Sequence, residues 1–139
     1  VRAVYGMMRG FEITEGGTFE YIVRARPDLL FINQVPSLNF LSLNVSEAVV
    51  PMGIVHAARG GINDHIFICR QPKCESYFNV INSYLNCKST LDMGIDDGNQ
   101  LLRRWVESHG LRVVTRPFIY VNFVPCQAAK GKHYCGVVA

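Results

Sequence analysis

The sequence lacks any apolar run long enough to cross a bilayer, and it contains few charged residues. Its longest apolar stretches, such as residues 29–32 and 118–121, fall far short of the ~20 residues that a membrane-spanning helix needs. Charged residues form 18% of the chain, below the roughly 25% of an average soluble protein. The hydrophobic content of 49% excludes a disordered chain. These features indicate a single domain over residues 1–139, with no membrane contact within this segment.

The sequence also has little excess charge of either sign. Its 14 Lys and Arg residues against 11 Asp and Glu residues give a net charge of +3. That excess is too small to indicate a nucleic-acid partner, and no RNA-binding signature accompanies the arginines. A P-loop, a Rossmann glycine fingerprint, an HExxH helix and a serine nucleophile elbow are absent from the sequence. The chain therefore carries none of the motifs that define those site classes.

Cysteine is sparse, and the number of cysteines is odd. The five are Cys69, Cys74, Cys87, Cys126 and Cys135. They are too few for a disulfide scaffold, an odd count leaves one thiol unpaired within the chain, and their spacing is too loose for a zinc site. Buried thiols in a reducing compartment and disulfides in a lumenal one both remain open. The single N-glycosylation sequon, residues 44–46, favours the secretory pathway or Golgi lumen if the source is eukaryotic, and otherwise the cytoplasm is expected.

Hydrophobic periodicity predicts a mixed α/β domain. An apolar face is predicted for a helix over residues 1–14, which Gly16 and Gly17 end; its residues, three and four apart, are Val1, Val4, Tyr5, Met8 and Phe11. Apolar and β-branched runs predict strands over residues 18–25, 29–32, 48–50, 65–69, 111–115 and 118–124. A helix over residues 72–87 is expected to hold Pro72 in its first turn and to bury a broad face that includes Cys74, Tyr77 and Phe78. A second helix is expected to run from a cap at Asp96 or Asp97 to Gly110. The chain after Pro125 is predicted to be irregular.

The first candidate site is the end of the strand over residues 18–25. Arg24 and Arg26 are two residues apart, so on a strand they point to the same face, and guanidinium groups suit phosphate or carboxylate. Asp28 follows, and a carboxylate at a strand end can hold a divalent cation through oxygen. The alternative is an aspartate that caps a turn beside two surface arginines.

Two further polar segments are candidate sites. Residues 60–65 combine paired glycines, which allow close backbone approach to a ligand, with Asp64 and His65, which offer a base or hydroxyl acceptor. The alternative is a glycine turn that leads into a strand. Residues 96–99 place paired carboxylates at a helix start, where they act as caps or as a polar rim that contacts a sugar.

Taken in order, these segments resemble one family of glycosyltransferase-like proteins. Residues 19–31 resemble its strand motif Tyr-Asp-x-Val-x-Arg-x-Arg-Pro-Asp-Leu-x-Phe, and residues 50–51 with 60–64 are similar to its Val-Pro…Gly-Gly-x-Asn-Asp segment. The resemblance extends over roughly residues 5–124. One departure is at residues 96–98, which read Asp-Asp-Gly where the family often has Pro-Glu. Members are expected to have the nucleotide-diphospho-sugar transferase (GT-A) fold.

The resemblance implies a partial α/β/α sandwich with a mixed sheet, forming the carboxy-terminal part of a glycosyltransferase catalytic domain. The donor-nucleotide half has no counterpart before Val1, so this segment alone is expected to be inactive. The implied reaction is metal-assisted, with Mn²⁺ or Mg²⁺, and transfers a sugar from a nucleotide-sugar to a glycan or glycoconjugate hydroxyl. The implied roles are metal or diphosphate ligand for Asp28, diphosphate or substrate binding for Arg24, Arg26, Gly61 and Asn63, and acceptor contact or general base for Asp64.

The sequence leaves two other functions open. One is a non-enzymatic lumenal or extracellular domain whose disulfides fix a carbohydrate- or protein-binding face. The other is a degenerate transferase that keeps the fold without turnover. Asp28 and Asp64 in one cleft would favour the enzyme, whereas their placement on opposite faces would favour the binding domain.

Overall fold

A computed structural model describes residues 2–27, 29–31, 43–52, 60–85, 97–118, 120–129 and 132–138, the last two ranges by backbone alone. In chain order, the elements are α1 (Arg2–Glu15), β1 (Tyr21–Ala25), β2 (Leu29–Phe31), β3 (Glu47–Pro51), β4 (Ile66–Arg70), α2 (Glu75–Phe78), α3 (Ile81–Leu85), α4 (Gly98–Ser108), β5 (Arg112–Arg116), β6 (Tyr120–Ala129) and β7 (Lys132–Val138). No helix within the described ranges is both long and apolar enough to span a membrane.

The main sheet has four strands in the order β1-β4-β3-β5. β4 is antiparallel to both β1 and β3, and β3 is parallel to β5. Strands β1, β3 and β5 therefore end at one edge, called here the C-terminal edge, and begin at the opposite edge, called the N-terminal edge. This mixed, open sheet confirms the expectation of a mixed α/β domain. A second, antiparallel sheet has the order β2-β6-β7.

Alternate residues of each strand supply the cores on the two faces of the main sheet, as the period of two requires. On β4, Phe67 and Cys69 face the helices, whereas Ile66 and Ile68 face the opposite side. All four are at most 1% exposed. The helix-side core contains Ile22, Ala48, Val50, Ile62, Phe67, Cys69, Cys74, Tyr77, Phe78, Leu102, Val106 and Leu111. Partly buried residues of α1 and α4 pack against it, so the helices cover this face.

Helix α1 confirms the predicted helix, but its burial differs from the predicted pattern. Tyr5 and Met8 pack against the helix-side core as expected. Phe11 is 55% exposed and stacks on Phe19, with ring centroids 6.1 Å apart. The residue that is buried one turn beyond Met8 is Glu12. The last buried residue on the core-facing side of α1 is therefore the carboxylate of Glu12 rather than the aromatic ring of Phe11.

The predicted helix over residues 72–87 is wrong in its extent. Pro72 lies in a turn rather than in a helix, and α2 begins only at Glu75. A disulfide between Cys69 and Cys74, both fully buried, joins the end of β4 to the start of α2 across this turn. The crosslink holds the two ends of this turn together, so a helix begins only after it, and the segment then forms the short helices α2 and α3.

The irregular tail predicted after Pro125 is also wrong, because β6 continues to Ala129 and pairs with β7. The pairing shifts register between Val124 and Gln127, on either side of the proline. A proline cannot donate to a β ladder, and an irregularity of this kind is where a strand tolerates one. Pro125 therefore marks a local bulge within β6 rather than the end of the strand.

Candidate active-site cleft

A cleft of about 380 Å³ opens at the C-terminal edge of the main sheet. Its walls come from the end of β1, the loop before β4, the α2–α3 segment and the start of α4. The lining residues are Arg24, Asp64, Tyr77, Val80, Asp97, Gly98, Asn99 and Leu102. Ligands of open α/β sheets gather at the edge where parallel strands end, and this cleft occupies that position.

Arg24 and Asp64 form an ion pair at the C-terminal end of β1. Arg24 lies two residues after Ile22, which is in the helix-side core, so its side chain points to the same side of the sheet. Its Nη1 donates to the backbone carbonyl of Asp64 and lies 3.7 Å from Asp64 Oδ2. Both side chains are partly buried, at 23% and 35% exposure, so solvent screens the pair only in part. One arginine thereby fixes both the backbone and the carboxylate of Asp64.

The loop before β4 is packed closely enough to hold Asp64 in place. Gly61 is buried, and a Cβ atom on it would lie 3.0 Å from Asn99 Cβ and 3.3 Å from the Asn99 carbonyl carbon. Asn63 is 8% exposed, and its Oδ1 accepts a hydrogen bond from the His65 backbone N–H at 3.0 Å. The loop therefore requires glycine against α4 and an amide side chain to shape the turn into β4.

Tyr77 forms the floor of the cleft and was predicted only as part of a buried helix face. It is 4% exposed and stacks on Phe67, with ring centroids 4.0 Å apart. Burial, in the main, raises the pKa of Tyr77 to about 12; nearby Arg24 lowers it and nearby Asp64 raises it. The phenol is thus protonated at neutral pH and can both donate and accept a hydrogen bond.

The start of α4 closes the cleft opposite Arg24. Asp97 caps the helix, since its Oδ1 accepts the Asn99 backbone N–H at 2.7 Å, which confirms the predicted cap. Asp97 also lines the cleft, and its role in a polar rim that contacts a sugar stays a prediction. The helix N-terminus contributes partial positive charge at this point, and the carboxylate offsets it.

The predicted site residues divide into three groups. Arg24 and Asp64 lie together in the cleft, while Gly61 and Asn63 shape the loop behind it. The Arg26 backbone N–H donates to the His65 carbonyl at 3.0 Å, and among the described residues Arg26 does not line the cleft. Asp28 and Asp96 lie outside the described residues, so the proposed neighbourhood of Asp28 and Asp64 stays a prediction.

Tyr77 is a cleft residue that the sequence did not single out, and Asn99 is one whose partner the sequence did not show. A polar-tipped aromatic on the buried face of a predicted helix is the signal that could have identified Tyr77. Asn99 was already part of the predicted polar segment, but only the approach of Gly61 shows which loop it meets. In both cases, the contact that gives the residue its role comes from a distant part of the chain.

The described residues do not assemble a metal-ligand set. No group of three or more His, Cys, Asp or Glu side chains that could hold a metal ion occurs within the described ranges. The two carboxylates of the cleft, on Asp64 and Asp97, are engaged with Arg24 and with the backbone of α4. We therefore derive no catalytic step through a metal from these residues.

Comparison with known proteins adds no relative to this picture. No protein-family model, no curated protein and no solved structure matches the chain. The glycosyltransferase prediction therefore depends on the resemblance of the sequence motifs alone.

Proposed function

We propose that the chain is the acceptor-side part of a GT-A-type glycosyltransferase, which transfers a sugar from a nucleotide-sugar to an acceptor hydroxyl. The observation that supports this proposal best is the composition of the cleft. Arg24, Asp64, Asp97 and Tyr77 converge on a space of about 380 Å³, large enough for a sugar ring. Three of these four residues lie in segments that resemble the family or were singled out as polar candidates.

The lining has the chemistry that a sugar requires. Sugar hydroxyls both donate and accept hydrogen bonds, and the cleft offers carboxylates as acceptors, a guanidinium as a donor and a phenol that can serve as either. Val80 and Leu102 add apolar wall, against which the C–H face of a sugar can pack. A mixed lining of this kind suits an acceptor glycan better than a purely apolar ligand.

In the proposed reaction, Asp64 is the general base. Its carboxylate accepts the proton of the acceptor hydroxyl while that oxygen bonds to the anomeric carbon, and the nucleoside diphosphate departs with the electron pair. Arg24 is a positioning residue, because it holds the backbone carbonyl and the carboxylate of Asp64. Arg26 would offset diphosphate charge. A divalent cation, when bound at Asp28, would supply further charge stabilisation of the diphosphate. We expect turnover only in a protein that also carries the donor-binding half.

A second candidate function is non-enzymatic binding of carbohydrate in an oxidising compartment. The buried Cys69–Cys74 disulfide supports such a compartment, because structural disulfides form and persist in secretory lumens. The same cleft would bind the glycan without transferring a sugar. Both candidates agree with a Golgi or other lumenal location, and they differ in turnover.

The test separates binding from transfer. The chain is titrated with neutral oligosaccharides by calorimetry, and the longest protein that contains it is assayed for nucleoside diphosphate release from a panel of nucleotide-sugars with Mn²⁺ or Mg²⁺. We expect Asp64→Asn to lower turnover at least 100-fold, as for loss of a general base, while binding persists. Arg24→Gln should weaken both oligosaccharide binding and turnover. Arg104→Gln, on the exposed side of α4, should leave binding and turnover unchanged.

Each outcome selects one function. Binding without turnover of any donor would favour the binding domain. Equal turnover in wild type and Asp64→Asn would remove Asp64 from the mechanism. Loss of turnover in Asp28→Asn with an intact fold would support the metal role of Asp28. Absence of any glycan binding to the chain would overturn both candidates.

A further inference from the structure

The sequon at residues 44–46 forms a hydrogen-bonded turn directly before β3. The Glu47 backbone N–H donates to the Asn44 carbonyl at 2.9 Å, and the Asn44 backbone N–H donates to Glu47 Oε2 at 3.2 Å. This second bond is the main reason that the pKa of Glu47 is lowered; desolvation opposes it, and Arg112 and Arg116 lower the pKa further. The turn thus presents Asn44 at a defined position on the surface rather than within a strand.

The contacts of the Asn44 side chain within this turn are made by its oxygen. The Ser46 backbone N–H and the Ser46 hydroxyl both approach Asn44 Oδ1 at 3.2 Å. A hydroxyl that donates to the amide oxygen withdraws electron density from the amide and makes its N–H protons more acidic. Asn44 is exposed, and among the described residues no acceptor engages its Nδ2. The nitrogen is therefore accessible, and the loss of one of its protons is made easier.

We propose that Asn44 is an N-glycosylation site. A bond forms between Asn44 Nδ2 and the anomeric carbon of an oligosaccharide carried on a lipid pyrophosphate. The bond from that carbon to the pyrophosphate oxygen breaks, the lipid pyrophosphate leaves with the electron pair, and the amide nitrogen gives one proton to a base of the enzyme that transfers the oligosaccharide. The residue between Asn44 and Ser46 is Val45, so the proline that blocks such sites is absent.

The topology places this site away from the candidate cleft. The Arg112 backbone N–H donates to the Ser46 carbonyl at 2.7 Å, where β3 and β5 begin. Asn44 therefore lies at the N-terminal edge of the main sheet, whereas Arg24 and Asp64 lie at the C-terminal edge. A five-residue strand such as β3 separates the edges by roughly 16 Å at about 3.3 Å per residue. A glycan on Asn44 leaves the cleft open.

The disulfide gives an independent reason to place the chain where this modification occurs. Transfer of lipid-linked oligosaccharide takes place in a secretory lumen, and a structural disulfide such as Cys69–Cys74 persists in the same oxidising environment. The proposal does not depend on sugar transfer by this protein, since the sequon is here the substrate of another enzyme.

The experiment is expression behind a secretory signal peptide in eukaryotic cells. We expect a discrete increase in apparent mass that peptide-N-glycosidase removes with conversion of Asn44 to aspartate, detected by peptide mass spectrometry. Asn44→Gln and Ser46→Ala should abolish the increase, and Ser46→Thr should retain it. Asn82→Gln, at an exposed asparagine outside any sequon, is the matched control and should keep the glycan.

The readouts separate this proposal from the proposed function. An unmodified wild-type chain that is secreted would overturn the site, whatever the activity of the cleft. Glycan binding by the cleft that increases several-fold after deglycosylation would overturn the placement of Asn44 away from the cleft. Equal oligosaccharide binding before and after deglycosylation, with modification that depends on Ser46, would support both the site and its placement.

Discussion

Glu12 offers the sharpest test of how the helix layer is attached to the sheet. Glu12 is 5% exposed, and its Oε1 accepts the Phe19 backbone N–H at 2.7 Å and the Gln71 Nε2 at 2.9 Å. Its Oε2 pairs with Arg9. One carboxylate therefore links α1 to the start of β1 and to the turn after β4. Replacement by alanine removes all three contacts at once.

The structure sets the expected magnitude. A hydrogen bond to a charged group contributes about 1.5–3 kcal/mol, and Glu12→Ala loses two of them. Phe19 is 44% exposed, so its N–H can partly rehydrate, and the Arg9 side chain is 44% exposed, so its ion pair adds little. We expect a loss of about 3 kcal/mol in the free energy of unfolding for Glu12→Ala. Glu12→Gln keeps one acceptor oxygen and should cost about 1 kcal/mol.

Urea denaturation, followed by circular dichroism and by fluorescence, measures these differences. Trp105 is the single tryptophan of the chain and lies in α4, so its signal reports unfolding of the domain rather than of α1 alone. For a domain of this size, 3 kcal/mol corresponds to a decrease of about 10 °C in Tm. Glu15→Ala, at an exposed carboxylate in the last turn of α1, is the control and should change little. Stability of Glu12→Ala within about 0.5 kcal/mol of wild type would refute the reasoning.

Four further predictions concern helix α1, the core and the cleft. Below pH 10 both states keep the Tyr77 proton, but between pH 10 and about 12 only the folded state does, so stability falls by roughly 2–3 kcal/mol over that window. Urea titrations across that pH range should show a smaller decrease in the free energy of unfolding for Tyr77→Phe than for the wild-type protein. Gly61→Ala should cost about 1–2 kcal/mol, because its Cβ crowds the start of α4. Gly10→Ala lies in helix α1 at a position where a Cβ atom would meet nothing within 4 Å. It should stabilise the protein by about 0.5–1 kcal/mol, and thermal melts of both glycine variants measure these changes. Replacing Cys69 and Cys74 by alanine should cost about 2 kcal/mol and abolish the effect of a reductant on Tm.

The sequence predicted the elements whose signals are local. The runs that form β1, β3 and β4 are β-branched or aromatic, and their order in the chain indicated a mixed sheet. The second long helix was correctly bounded by Asp97 and Gly110, because a side-chain cap and a glycine at φ 79° act within one turn of the helix. These features need no knowledge of the rest of the fold.

The sequence could not predict features that depend on distant contacts. Glu12 is buried only because Phe19 and Gln71 supply donors from other elements. The helix predicted from Pro72 begins three residues later, since a disulfide links the end of β4 to the start of α2. Only part of the candidate cleft was predictable, because some of its residues meet through distant contacts. Asp64 belongs to a recognisable segment, whereas Tyr77 joins the cleft only through the packing of α2 on β4.

The charge of the cleft indicates which side of the proposed reaction it serves. Among the described residues, Asp64 and Asp97 bring two negative charges to the lining and Arg24 brings one positive charge. The N-terminus of α4 adds roughly half a positive charge, so the site is left slightly negative. A nucleoside diphosphate would be repelled there unless further cations were supplied, whereas a neutral sugar is not. The charge distribution therefore favours the acceptor over the donor as the occupant of this cleft.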